Sequence, residues 1–372
     1  MKIGVPKEIK NHEYRVGLTP VSVRELTARG HEVVVETQAG FAVDMSDDEY
    51  VAAGATILPK ATDVFADADM IVKVKEPQPA EIDMLRDGQL LFTYLHLAPD
   101  PEQAKGLMRS GAIAIAYETV TDDFGGLPLL APMSEVAGRM SIQAGAHALE
   151  MNQGGRGMLL GGVPGVPAAK VVVIGGGVVG TNAARMAMGM EAHVTVLDKS
   201  VHRLQQLDLQ FGSKLNTVFS TATAVEEHVL GADLVVGAVL VPGAAAPKLV
   251  SRDMVTAMKR GSVLVDVAID QGGCFATSHA TTHDDPIYTV DDVVHYCVAN
   301  MPGAVARTST LALNNVTLPF TLALADKGYA RALREDRHLL NGLNVCRGKL
   351  TYEAVARDLG EAYVSAADAL AE

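Results

Sequence analysis

Four side chains in the first half of this sequence have the chemistry to handle a small polar substrate. Arg15 stands in a polar loop, KEIKNHEYR, that follows the apolar run Ile3–Pro6. Lys75 closes ADMIVKVK, and Tyr94 and His96 close QLLFTYLHL. An arginine fork suits a carboxylate held through two parallel hydrogen bonds, and a lysine offers a point charge whose pKa shifts readily. Histidine is the natural proton shuttle near neutral pH. Lys73 and Lys75 are expected on one strand face. In a parallel sheet the C-terminal ends of the strands line the ligand crevice, so these groups would sit on its rim. Asp270, ending SVLVDVAID, is expected at a similar strand end in the second half, whereas Asp266 inside that run reads as a structural carboxylate. Each group also has a plainer reading, a solvated loop charge or a satisfied core histidine, and residue type alone does not separate the two.

A second constellation points to a nucleotide. VVVIGGGVVG reads as strand, turn and helix, with Gly175, Gly177 and Gly180 supplying G-x-G-x-x-G. Gly175 permits a tight turn, Gly177 lets backbone approach a pyrophosphate, and Gly180 lets the helix pack close to the strand. The helix N-terminus then offers unpaired N–H groups to the phosphates. Asp198 closes the next strand, 18 residues after Gly180, where a carboxylate accepts hydrogen bonds from ribose hydroxyls. It would repel a 2′-phosphate, which favours NAD over NADP; Arg203 is the nearby group that would blunt the preference.

The elements that must position these groups alternate. HEVVVET, ADMIVKV, QLLFTYL and AIAIAYE read as strands with helical stretches between them. Thr19-Pro20 opens a helix that Gly30 closes, and Asp100-Pro101-Glu102 opens another. From about residue 150 the composition shifts, with ten glycines in the 27 residues from Gly154 to Gly180. Further strands are expected at ADLVVGAVL, GSVLVDVAI and YCVAN, and helices from residue 305 to the end. The fold class is α/β, two doubly wound Rossmann-like domains, the first discontinuous. Residues 1–130 and 305–372 form the substrate domain, completed by C-terminal helices, and 131–304 the nucleotide-binding domain.

Composition narrows the function. The chain has 372 residues and a net charge of −13, with no basic run, so nucleic acid and anionic membranes are poor partners. The longest uncharged stretch, Thr308–Ala325, holds four Thr, one Ser, two Asn and one Pro, and reads as a buried helix with a polar start rather than a membrane span. The N-terminus lacks an apolar signal core. Three cysteines, Cys274, Cys297 and Cys346, without CxxC spacing suit reduced thiols in the cytoplasm, and no motif has metal-ligand spacing.

The blocks MKIGVPKEIKNHEYRVGLTP, VKVKEP, FTYLHLA, LAPMSEVAGR, QGGRGMLLGGVPGV, GAVLVPGAAAPKLV, VDVAIDQGGCF and YCVANMPGAV together resemble the bacterial L-alanine dehydrogenases, over essentially the whole chain. The resemblance implies that Arg15 and Lys75 hold the substrate carboxylate and carbonyl, that His96 is the acid/base group, and that Asp270 is its carboxylate partner. It places nucleotide contacts at Ser134, Val178, Asp198, Arg203, Ser220, Val239 and Leu240, and further at Val267, Ala268, Ile269, Asp270, Val298, Ala299, Asn300 and Met301. Tyr94, Leu130 and Met133 are expected to bound a methyl pocket. The implied reaction is NAD-dependent deamination of L-alanine to pyruvate and ammonium, in a homo-oligomer that is hexameric by resemblance. Two residues depart from the family pattern: His279 stands where some relatives carry arginine, and Ala306 where proline is common. A transhydrogenase-type nucleotide-binding subunit and a silent NAD-binding scaffold are the competing readings; retention of Arg15, Lys75, His96 and Asp270 argues against both.

Overall fold

The computed structural model describes residues 1–239 and 246–371. The chain divides into two compact units, Met1–Met133 with Val305–Glu372, and Ser134–Ala304. Most strands in each are short apolar runs, because a parallel sheet covered by helices buries its strands on both faces.

In the first unit, β1 (Lys2–Val5), β2 (Glu32–Glu36), β3 (Thr56–Leu58), β4 (Met70–Val72), β5 (Leu90–Thr93) and β6 (Ile113–Ala116) pair in parallel. The helices start where the sequence signals them. The Thr19 side chain accepts the Ser22 N–H ahead of the helix Pro20–Ala28, and Asp100 accepts the Gln103 N–H ahead of Pro101–Ser110. From β1 the chain builds outward through β2 and β3, then returns to lay β4 on the other side of β1. The crevice of such a sheet opens at that reversal, between the ends of β1 and β4.

The second unit repeats the plan. β7 (Lys170–Ile174), β8 (His193–Asp198) and β9 (Leu215–Phe219) build one way, and β10 (Leu234–Gly237) and β11 (Val263–Asp266) the other, so the reversal falls between β7 and β10. β12 (Ile287–Val290) pairs antiparallel with β13 (Val293–Tyr296), which closes the parallel set beside β11. Three boundaries differ from expectation. β10 ends at Gly237. β11 ends at Asp266 and a 3₁₀ turn, Val267–Gln271, follows, so Asp270 lies in a turn and not at a strand end. YCVAN is mostly loop: the strand precedes it, entered through Asp291 and Asp292 at φ +50° and +63°, a tight hairpin.

Helices alone do not complete the first unit. After the helices Ala306–Lys327, Tyr329–Glu335 and Arg337–Leu340, two strands return, β14 (Leu343–Cys346) antiparallel to β6 and β15 (Lys349–Leu350) at the edge. The sheet order is thus β15-β14-β6-β5-β4-β1-β2-β3. The helix Ala306–Lys327 contains the uncharged Thr308–Ala325 stretch, and its polar groups are satisfied inside the unit. Asn314 accepts the Thr19 N–H and the Ser22 hydroxyl, while Thr317 and Thr321 donate to carbonyls one turn back. Among the described residues no helix is long and apolar enough to cross a membrane.

Candidate active site

The loop after β1 and the segment after β4 flank the reversal of the first sheet, and they carry Arg15 and Lys75. Arg15 is buried. Its Nε and Nη2 each donate to Glu13 at 2.6 Å, and Nη1 reaches the Met133 sulfur at 3.0 Å. Burial works against the guanidinium, but Glu13 beside it outweighs that cost and keeps its pKa above the ordinary value. Glu13 therefore fixes the fork in one orientation.

Lys73 and Lys75 do not share a strand face. β4 stops at Val72, so alternation no longer governs them. Lys73 is fully buried, its ammonium 2.9 Å from Glu8 and 2.6 Å from Glu81. Lys75 stays close to the surface, with Nζ 3.9 Å from Glu76. Glu8 also accepts the Val74 N–H at 2.7 Å, and so pins the backbone beside Lys75.

Tyr94 and His96 follow β5 directly. The Tyr94 hydroxyl donates to the Leu129 carbonyl at 2.6 Å, and burial pushes the phenol up, so it stays protonated. Its ring stacks on His96, centroids 5.7 Å apart. Leu130, half-buried, adjoins Leu129, and buried Met133 lies against Arg15. His96 sits at φ +48°, a conformation L residues seldom adopt. Glu118 holds it there by accepting the His96 and Leu95 N–H groups, at 2.6 and 3.1 Å. The His96 Nδ1 is buried and faces Glu76 at 3.6 Å, although the side chain as a whole is 40% exposed. Four glutamates, Glu8, Glu13, Glu76 and Glu118, thus organise this cluster. None was singled out from the sequence, although Glu76 lies within VKVKEP, next to Lys75.

In the second unit the glycine turn has the form its spacing requires. Gly175 is at φ +101°, and a side chain there would strike the Ala238 carbonyl, next to Val239. A side chain at Gly180 would lie 1.8 Å from the Gly175 carbonyl. Around Gly177, at the N-cap of the helix Val178–Gly189, no heavy atom of the described residues other than its chain neighbours lies within 4 Å of where a side chain would stand. Open space facing a helix N-terminus fits the phosphates of a dinucleotide. Asp198 accepts the Gly176 and Ser200 N–H groups, each at 2.7 Å, and its backbone carbonyl accepts from Ser220. Arg203 donates to the Gly176 carbonyl and to Thr181, both at 2.6 Å, and so braces the turn.

The remaining nucleotide candidates are spread along the same strand ends. Val267, Ala268, Ile269 and Asp270 form the turn after β11, with Asp270 exposed. Asp266 is structural as expected: buried, it accepts the Ala268, Cys274 and Phe275 N–H groups and the Ser278 hydroxyl. Val298, Ala299, Asn300 and Met301 follow β13. The side chains of Val298 and Met301 belong to the hydrophobic core. Ser134 lies in the first turn of the helix Ala131–Ala148. Leu240 lies outside the described residues. His279, one of the two departures from the family pattern, stacks on Tyr288 with centroids 3.7 Å apart. Among the described residues no group of His, Cys, Asp or Glu could hold a metal ion.

Comparison with known proteins bears on both units. Residues 4–137 match the family model "Alanine dehydrogenase/PNT, N-terminal domain", and residues 141–353 match "Alanine dehydrogenase/PNT, C-terminal domain". A protein of Halomonas elongata named alanine dehydrogenase is 64% identical over 99% of both chains. A solved structure titled L-alanine dehydrogenase superposes with a TM-score of 0.94 at 54% identity, covering 97% of this chain and 99% of that one. A transhydrogenase from Sinorhizobium meliloti has the same fold, with a TM-score of 0.83 at 26% identity over 94% and 100% of the two chains.

Proposed function

Because this chain belongs to the alanine dehydrogenase/PNT family, we propose that it is an NAD-dependent alanine dehydrogenase, converting L-alanine to pyruvate and ammonium and running in reverse as reductive amination. The observation that carries the reading is the 64% identity over essentially the full length with a protein of that name. A nicotinamide nucleotide is the family's cofactor, and the choice of NAD is supported by the carboxylate of Asp198 closing β8.

Arg15, oriented by Glu13, takes the substrate carboxylate, and Lys75 adds positive charge on the same side. The bound nucleotide supplies the hydride acceptor for the α-carbon. Once the neutral amine's carbon has given up its hydride and become an iminium, His96 takes a proton from the attacking water, gives it to the departing amine and accepts the carbinol hydroxyl proton as ammonia leaves, yielding pyruvate. Tyr94, Leu130 and Met133 close around the methyl group; such a wall separates side chains one methylene apart by only about 1–3 kcal/mol, so slow turnover of slightly larger amino acids is expected. Asp270 is proposed to assist the proton transfers. Ser134, Gly175, Gly177, Val178, Gly180, Asp198, Arg203, Ser220 and Val239 are proposed to hold the nucleotide, with the turns after β11 and β13. The assembly proposed is a homohexamer in the cytoplasm, and a monomer in sedimentation would remove that part.

The test is reduction of NAD, then NADP, followed optically with L-alanine, glycine, L-serine, L-lysine and no substrate. Turnover concentrated on L-alanine with NAD is expected. Silence with every amino acid despite nucleotide binding would transfer the chain to the transhydrogenase-like reading. Asp198→Ala is expected to weaken NAD binding about 10- to 100-fold, since a hydrogen bond to a charged group is worth roughly 1.5–3 kcal/mol. An unchanged Kd for NAD in a fluorescence titration would take Asp198 out of the nucleotide site.

A further inference from the structure

The first unit places a carboxylate beside the imidazole that the proposed mechanism uses. The Glu76 Oε2 lies 3.6 Å from His96 Nδ1 and 3.9 Å from Lys75 Nζ, while its Oε1 is taken by the Lys10 ammonium. Oε2 and Nδ1 are both buried, and among the described residues neither has a hydrogen-bond partner. Two orphaned buried polar atoms of complementary type, facing each other just beyond hydrogen-bond length, are a pair that a small side-chain rotation closes. Catalytic hydrogen bonds are often long in ligand-free enzymes and tighten with substrate.

The electrostatics agree. Burial pushes the Glu76 carboxyl up, but His96, Lys75 and Lys10 outweigh it and hold the group well below the usual carboxylate range, so it is an anion at neutral pH. Within this unit the charged and titratable groups around His96 are Lys10 from the loop after β1, Lys75 and Glu76 after β4, Tyr94 on its own segment, and Glu118 at its backbone N–H. Glu118 serves the main chain. Glu76 is the anion that faces the ring.

We propose that Glu76 is the positioning residue of His96: it holds the proton on Nδ1, leaving Nε2 as the nitrogen that exchanges protons with substrate, and it draws the Lys75 ammonium to the same side. The role in catalysis rests on the assignment of His96 as acid/base group. The pairing of Glu76 with His96 does not, and the experiment separates the two.

Glu76→Gln keeps the volume and removes the charge. With the histidine rings nitrogen-labelled and His96→Asn used to assign the His96 signals, the ligand-free protein at alkaline pH should show the neutral His96 ring with its proton on Nδ1, and Glu76→Gln, whose amide can either donate or accept, should lose that preference. For L-alanine oxidation kcat should fall in Glu76→Gln with KM little changed, as loss of proton-transfer alignment requires. Glu76→Asp retains the anion and should keep the proton on Nδ1 while lowering kcat through misalignment; it carries the test if the glutamine variant does not fold. A proton held on Nδ1 undiminished in Glu76→Gln, or lost as fully in Glu76→Asp, overturns the proposal. If the unaltered protein fails to oxidise L-alanine, the functional reading falls while the ring-nitrogen spectrum still decides the pairing.

Discussion

Replacing His96 by asparagine is expected to lower kcat by about 10²- to 10⁴-fold, the range over which a positioned general acid/base contributes, with the Kd for the nucleotide unchanged. Asparagine is the informative choice because of the backbone. His96 stands at φ +48°, held there by Glu118 through the His96 and Leu95 N–H groups. Asparagine tolerates that left-handed conformation better than most residues, so the loop and its hydrogen bonds survive while proton transfer is lost. Alanine adds some backbone strain and should show the same loss of kcat with somewhat lower stability. The groups proposed to hold the nucleotide belong to the other unit, which gives an internal control: binding of NAD, measured by fluorescence, reports whether the protein is intact. Turnover in His96→Asn within a few-fold of the unaltered enzyme would remove His96 from the chemistry and, with it, the catalytic part of the role argued for Glu76.

The sequence makes the strand-rich halves legible because their signals are local. Thr19-Pro20 and Asp100-Pro101 cap helices, and VVVIGGGVVG forms strand, turn and helix. The edges are harder to read. LNVC and KL form a hairpin whose two turn residues, Arg347 and Gly348, are at φ +45° and +85°. The Arg-Gly pair was the available sign, but a few apolar residues amid helical periodicity do not announce a strand; pairing with β6, more than 200 residues earlier, makes them one. Strand ends are misjudged for a similar reason. VLVDVAID is apolar apart from its two aspartates, and Asp266 turns the chain by capping the 3₁₀ segment, a hydrogen bond that periodicity does not encode. In the site, the cations and the histidine are conspicuous as residue types. The four glutamates that orient them look like ordinary surface charge until the fold places Glu8 and Glu13 on one side of the reversal and Glu76 on the other.

Lys73→Met is expected to be the most damaging single substitution for stability, costing about 3–5 kcal/mol, as removal of one partner from a buried ion pair does. In a unit of roughly 200 residues that is a fall in Tm of about 10 °C or more. Lys73 is enclosed with Glu8 and Glu81, and methionine would fill its volume while leaving two buried carboxylates side by side without a cation. Even with the lysine present, burial drives the Glu8 carboxyl above its usual pKa, with Lys73 as the main opposing influence. Without it the Glu8 carboxyl is raised further, and the folded protein binds more protons than the unfolded chain above the ordinary carboxylate pKa. Stability of the variant should then fall as pH rises above the unfolded carboxylate value, and recover on acidification towards it. Adding Glu8→Gln and Glu81→Gln should restore much of the loss at neutral pH. A melting temperature within a few degrees of the unaltered protein for Lys73→Met alone would show that the triad carries little of the unit's stability. The consequence for chemistry follows from Glu8, which bonds both the Lys73 ammonium and the Val74 N–H. A fully buried lysine thereby helps to set the backbone beside Lys75, the residue proposed to reach substrate, which is how two lysines separated by one residue would come to serve different ends.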